Sequence, residues 1–363
     1  MQKPLSVRQV CFVFIAFMPV TKFFILPSII AQISSNDMWI SVLISILFDF
    51  LTLVVILSTM RKTNLCFFDL LKEVLSEKGA KIVMYFYLFY FLLKSVIPVF
   101  EQKDYIEHTL YINNPSFLYF IPFFFFSYYL GTKKLRGIGR ASDVLFLSTI
   151  IGFTLLIILS FHSIDLFAIF PILKTKPGKI LLGSYVGANW FGDSVYAMFF
   201  IGELALNKKD SKKITLAFIL QSLITLLFMV IFYCTFSSIA FRQRFALTEI
   251  SKFTTVINNT GRLDYFGIFL ILLSCAFSLS LPLYFASKIM NALFNFKQTF
   301  IAPLICNLSV LVIVIMCNQF VYSIQKIILT YFSAFFILLS NVFPIVFCSI
   351  ANKHLKEKNY ATT

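Results

Sequence analysis

Acidic side chains are scarce in this sequence: 16 aspartates and glutamates in 363 residues, against 31 lysines and arginines. All charged residues together make up 13%, too little to cover a water-soluble fold of this length. Histidine occurs only as His108, His162 and His354, too few and too separated for a zinc cluster. The seven cysteines (Cys11, Cys66, Cys234, Cys275, Cys306, Cys317, Cys348) form no CxxC pair. An odd, scattered set excludes a disulfide framework and gives no metal-site spacing. There is no glycine-rich phosphate loop ending in Lys-Ser/Thr, no HExxH and no GxSxG. The chain therefore reads as a non-enzyme that needs no cofactor or metal. The opening MQKPLSVRQV lacks the small-residue cleavage site of a signal peptide, and the apolar stretch behind it is too long for one.

What is abundant is apolar: 59% hydrophobic and 18% aromatic residues. A membrane-crossing helix needs about 20 apolar residues, and such windows recur along the chain. Long unbroken runs argue for helices rather than the short alternating strands of a β-barrel. The pattern predicts an all-α polytopic membrane protein of ten spans, at 8–33, 38–60, 80–102, 115–132, 142–163, 183–206, 215–240, 263–288, 299–321 and 328–350. Loops between them are short, so residues 1–363 form one integral membrane domain. The net charge of +15 is not a nucleic-acid signal, because the basic residues sit in those loops. With the N-terminus in the cytoplasm, 20 lysines and arginines fall inside and 9 outside, while Lys22 and Lys94 remain within spans. That bias places both termini in the cytoplasm. The amphipathic stretch 61–81 is expected to lie along the cytoplasmic face as an interfacial helix. Part of 241–262 is expected to form a short helix over the outer mouth.

The first span is interrupted. Phe14 to Ile30 carries Pro19, Thr21, Lys22 and Pro27 in its middle. Proline removes a helix hydrogen bond and clashes with the preceding turn, and lipid tolerates such a break only beside protein or a water-filled cavity. The sixth span carries Gly183, Gly187 and Gly192, followed by Asp193 and later Glu203. Ten spans divide into halves of five, about 8–163 and 183–350, and the breaks fall in the first helix of each. Paired interrupted helices in inverted halves point to a transporter-type binding site.

A lysine within a span costs roughly 2.5–3.5 kcal/mol on insertion scales and must find a partner or a cavity. The Lys22 ammonium can hold a ligand carboxylate, pair with a carboxylate across the break, stand in for a coupling ion, or snorkel to the outer mouth. Asp193 can pair with Lys22, bind a ligand amino group, or cap a half-helix. Asp49, Lys94 and Glu203 are further intramembrane charges with coupling or structural roles. Asp49 has no local partner and is expected to face the bundle interior, and Lys94 lies two turns from Glu101, too far for a direct bridge. Ser280 and Tyr284 share a helical face around Pro282, extended by Ser278 and Ser274. Asn189, Trp190 and Phe191 adjoin the second break.

The chain resembles the GerAB-type spore germination proteins, the integral B subunits of germinant receptors within the amino acid–polyamine–organocation transporter superfamily. The resemblance covers essentially the whole chain. It is carried by Leu5-Ser-Val-Arg-Gln9, Ile25-Leu-Pro27, Asp37-Met-Trp-Ile40, Gly137-Ile-Gly-Arg-Ala141 with Asp143, Gly261-Arg-Leu-Asp264, and Ser278-Leu-Ser-Leu-Pro-Leu-Tyr284. Where family members often have glycine in the first break, this chain has Thr21-Lys22. The resemblance implies a LeuT-like 5+5 fold in the cell membrane or spore inner membrane. It also implies a small germinant, in most cases an amino acid, and partners in the family's A subunit and lipoprotein C subunit. Ligand-facing residues would be Thr21, Lys22, Asn189, Trp190, Gly192, Asp193, Ser280 and Tyr284. A proton- or sodium-coupled amino acid permease is the alternative.

Overall fold

The computed structural model describes residues 5–109, 117–202, 204, 206–252, 264–317 and 320–362. Helices dominate it, and no strand occurs among the described residues. In chain order they are α1 (Val7–Phe17), α2 (Leu26–Ser34), α3 (Met38–Met60), α4 (Phe67–Thr109), α5 (Phe117–Thr132), α6 (Leu135–Ser160), α7 (Pro177–Gly187) and α8 (Ser194–Met198). They continue with α9 (Lys208–Phe236), α10 (Ala246–Lys252), α11 (Asp264–Phe294), α12 (Ile301–Met316), α13 (Val321–Ile327), α14 (Ser333–Ile337) and α15 (Phe343–Thr362), the last three joined by π-helical turns. Among the described residues six helical stretches are long and apolar enough to cross a membrane, and Ile301–Met316 is a shorter apolar helix.

The helices are amphipathic inside out. On α3 the exposed residues are Leu47, Phe48, Leu51 and Val54, while Ser41, Ser45, Asp49 and Thr52 are buried. Each set recurs every three or four residues, so each occupies one helical face. The same holds on α4, where Ile82, Tyr85, Phe86 and Phe89 face outward and Tyr87, Tyr90 and Lys94 inward. A solvent of lipid tails favours this arrangement, because polar groups find partners only inside the bundle. Helix α1 packs between α6 and α9, α11 against α4 and α6, and α3 against α7 and α15.

Two of the sequence stretches that carry the family resemblance meet in space. Ser6 caps α1 through a capping box with Gln9, satisfying two end N–H groups reciprocally. The Gln9 amide donates to Asp143 Oδ2 at 2.9 Å, and Arg8 pairs with Asp143 at 3.1 Å. A side chain at Gly139 would strike Leu5 and Gln9, so glycine at that position permits the contact.

Two expectations are corrected. Within 61–81 the helix begins only at Phe67 and is set off from the rest of α4 by the non-helical Ser76 (φ 72°); its Phe67, Leu70 and Leu71 are buried in the protein core rather than in lipid. Phe67 packs its ring on Phe199, 4.9 Å between centroids. The sixth span is not a helix to 206: α7 ends at Gly187, and after the break α8 runs only five residues.

A strap over residues 165–176 links α6 to α7 and is clamped to the turn between α2 and α3. Asp37 accepts from the backbone N–H of Leu173 (2.7 Å) and Thr175 (2.8 Å). Asn36 Nδ2 donates to the carbonyls of Ile169 and Pro171, and Thr175 Oγ1 donates to Ser34 O at 2.8 Å. Asp37 itself is buried while the two N–H donors are only part-buried, so removing their shared acceptor costs about 1 kcal/mol, the low end of the range for an unsatisfied group. Asp37→Ala is therefore expected to lower the thermal midpoint of the purified chain and to speed tryptic cleavage after Lys174. Unchanged values for both would show that the clamp does not hold the strap.

Candidate functional site

The break in the first span has a defined geometry. Helix α1 stops at Phe17, a 3-10 turn covers Val20–Phe23, and Phe24 (φ −93°, ψ −96°) leaves helical space before α2 begins with proline in its first turn. Proline there is preorganised and forfeits no hydrogen bond. In the second break Ala188 to Asp193 separates α7 from α8, and Gly192 has φ +90°, a conformation that other residues rarely adopt. A side chain at Gly192 would also strike Ser340 and the Tyr90 hydroxyl. At Gly183 it would strike the hydroxyls of Ser34 and Ser41, so this glycine lets α7 pack tightly on α2 and α3.

The two breaks abut, and one ion pair joins them. Lys22 is fully buried. Its Nζ donates to Asp193 Oδ2 at 2.7 Å and to Met18 O, a free carbonyl at the end of α1, at 2.5 Å. The ammonium also lies 5.2 Å from the centre of the Phe191 ring. Of the roles open to Lys22, this geometry shows the pair across the break, and the snorkelling arrangement is absent.

Asp193 stands at the N-cap position of α8, yet its side chain makes no capping bond. Asp49 on α3 takes that role. Its Oδ2 accepts from the backbone N–H of Gly192 at 2.8 Å and of Asp193 at 3.1 Å, placing a carboxylate at a helix N-terminus. With its amide nitrogen turned inward, Asn341 donates to Asp49 Oδ1 at 2.9 Å. Lys94 donates to the Phe191 carbonyl and does not reach Glu101. Two acids and two bases thus occupy one buried cluster: Lys22, Asp49 and Lys94 each bond to the backbone of a break, and Asp193 is held through Lys22. Glu203 lies outside the described residues.

Between the breaks is a cavity of about 30 Å³ lined by Met18, Thr21, Lys94, Trp190, Asp193 and Ser278, among others. That is about the share of one water in the liquid, so the bundle is closed around its centre. Asn189 lines the cavity too. Its Nδ2 donates to Val186 O and Ser333 Oγ, while its Oδ1, the Tyr90 hydroxyl and the Ser194 hydroxyl are buried without a hydrogen-bond partner among the described residues. Buried polar atoms are nearly always paired, and these three leave polar capacity beside the break. Gly192 shapes the backbone from outside the cavity wall. Ser280 and Tyr284 do not line the cavity: the Ser280 hydroxyl bonds back to Ala276 O at 2.8 Å, and Tyr284 stacks edge-on against Phe285. Ser278, Leu279, Leu281 and Pro282 form that wall instead. The Ser278 hydroxyl donates to Phe17 O at 2.6 Å, covering a second open carbonyl of α1.

Two polar latches stand between this cavity and the face that carries the strap. Trp190 donates its indole N–H to Glu101 Oε1 at 2.8 Å. Beyond it a cavity of about 10 Å³ is lined by Ile25, Glu101, Asp104 and Gln325. Arg244 then pairs with Asp104 at 2.5 Å, and beyond that pair opens a cleft of about 660 Å³ that includes Ile25, Arg244 and Gln325. The chain just after Arg244 is tied to the first break, Ala246 N donating to Phe24 O at 3.1 Å, and the short helix α10 that follows packs against α6, α9 and α11. Sequence reasoning missed both latches. The run Glu101-Gln-Lys-Asp104 at the end of an apolar span was the available signal.

Known proteins share both the sequence pattern and the architecture. The family model described as spore germination protein matches residues 4–321. No curated protein sequence matches significantly. Among solved structures, a mutant form of the manganese transporter of Eremococcus coleocola superposes with TM-score 0.57 at 13% identity, covering 95% of this chain and 76% of that one. The same transporter in complex with an aromatic bis-isothiourea substituted compound gives TM-score 0.53 at 15% identity, with the same coverage of both chains. The likeness shows a shared transporter fold, and with the apolar helices it makes the chain an integral membrane protein.

The Lys22–Asp193 pair gives a direct test. Breaking a buried pair by removing one partner costs about 3–5 kcal/mol, because the other charge is stranded. Lys22→Met is expected to lose stability on that scale in chemical denaturation of the detergent-purified chain. Adding Asp193→Asn should recover a large part of the loss. Strictly additive effects would show that the two side chains do not interact.

Proposed function

The chain belongs to the spore germination protein family, and from that premise we propose that it is the membrane-embedded B subunit of a germinant receptor, binding a small zwitterion at the junction of the two breaks. The observation that carries this reading is the Lys22–Asp193 pair at 2.7 Å, buried at the meeting point of two interrupted helices. An amino acid offers the same two charges. Its carboxylate can take over the Lys22 ammonium and its ammonium the Asp193 carboxylate, so ligand binding exchanges one ion pair for two. The unpaired Asn189, Tyr90 and Ser194 atoms beside the break supply further polar contacts.

In this reading the ten segments are membrane spans in a 5+5 inverted repeat, both termini are cytoplasmic, and the strap face is external. The protein resides in the spore inner membrane beside an A subunit and a lipoprotein. A cavity of about 30 Å³ admits no amino acid, so the ligand binds a more open state and shifts the population toward it by its differential affinity. The Glu101–Trp190 and Asp104–Arg244 contacts are the groups that must part. Manganese, the cargo of the structural neighbour, is not carried over, because the Lys22 ammonium already satisfies the Asp193 carboxylate and the Met18 carbonyl. The alternative, an amino acid permease working by alternating access, is favoured by the fold shared with a transporter.

A thermal-shift screen of the purified chain against amino acids and nucleosides, on the wild type and on Lys22→Met/Asp193→Asn, tests the site. Stabilisation by one compound that disappears in the double variant supports it, and stabilisation that persists removes the ligand from the break. Uptake of that compound by the single chain in liposomes would favour the permease.

A further inference from the structure

A second, larger cleft lies on the strap face, away from the central charges. It measures about 790 Å³, and Lys174, Lys176 and Lys179 line one wall while Tyr233, Ser237 and Ser238 line the other. No aspartate or glutamate is among its lining residues. All three lysines are exposed, and none forms an ion pair among the described residues. Asp37, which anchors the strap, has both carboxylate oxygens occupied by the N–H groups of Leu173 and Thr175. It therefore fixes the backbone from which two of the lysines project and does not itself line the cleft.

We propose that this cleft is a binding site for a small oxyanion, a carboxylate or phosphate group held by Lys174, Lys176 and Lys179 with hydroxyl donors from the opposite wall. Two ammonium groups on the clamped strap and a third from the first turn of α7, with hydroxyls across from them, concentrate positive potential in a concave space. Charge-assisted bonds from ammonium to oxyanion are the strong kind. The site also adjoins the route to the centre: Gln32 and Phe241 line both this cleft and the one that ends at Ile25. An anion captured here is delivered to the mouth closed by Arg244. Its external location rests on the orientation proposed above, whereas the anion chemistry does not. Free solutes and anionic lipid headgroups share that chemistry.

The test uses the full-length chain in phosphatidylcholine nanodiscs at low salt, titrated calorimetrically with inorganic phosphate and with L-glutamate. Wild type, Lys174→Gln/Lys176→Gln/Lys179→Gln and a control, Lys72→Gln/Lys78→Gln on a remote surface, are compared. The expected result is saturable binding that weakens with added salt and is roughly tenfold weaker in the triple variant but not in the control. If phosphatidylglycerol in the disc suppresses that binding in the wild type, the occupant is a lipid headgroup and the site stands. If binding is absent in both lipids, or equal in all three proteins, the proposal is overturned. Because the central pair is untouched, failure here leaves the zwitterion reading intact.

Discussion

One buried ion pair organises the centre of this protein. Each interrupted helix leaves carbonyl or N–H groups without an internal partner, and lipid offers none. The Lys22 ammonium covers the Met18 carbonyl of the first break and reaches the Asp193 carboxylate of the second. Asp49 covers the N–H groups of Gly192 and Asp193 from a third helix. The charges are therefore tolerated because they replace missing backbone hydrogen bonds. The reverse also holds: anything that draws Lys22 or Asp193 toward a ligand disturbs both breaks at once.

The arrangement held by that coupling is closed: it leaves about 30 Å³ between the breaks, behind an indole-to-carboxylate bond and an arginine–carboxylate pair in series. Both latches are side-chain contacts between elements that approach from different parts of the chain, α4 with the second break and α4 with the segment before α10. Such contacts can part without unfolding a helix. The strap is different: it is fixed through backbone groups by Asn36 and Asp37, which suits a rigid rim rather than a moving gate.

Much of the site was legible in the chain because charge inside an apolar span is costly and stands out. Lys22, Asp49, Lys94 and Asp193 were all visible on that ground, as were the prolines and glycines that mark the breaks. Their pairings were less legible. Asp193 was open to pairing with Lys22, to a ligand or to a capping role, and the structure shows the pair; the N–H groups at the start of α8 are answered instead by Asp49, which comes from 144 residues away in sequence. Ser280 and Tyr284 do share a helical face, yet periodicity states only which residues lie together, not which face meets the cavity. Pro282 and Ser278 do. The amphipathic start of α4 likewise announced a buried apolar face without saying whether lipid or protein buries it.

The sequence by itself determined the helical class, the membrane setting and the positions of the breaks, because these follow from local quantities: run length, hydropathy, and the places where proline or glycine interrupts a helix. It also carried the family resemblance. Only the tertiary structure decided that the two breaks touch, which carboxylate answers Lys22, which one caps helix α8, and how far the cavity between them is closed. Those outcomes depend on the rotation and depth at which each helix packs. In a bundle whose outer faces are uniformly apolar, rotation is set by long-range contacts between buried polar side chains rather than by any local pattern.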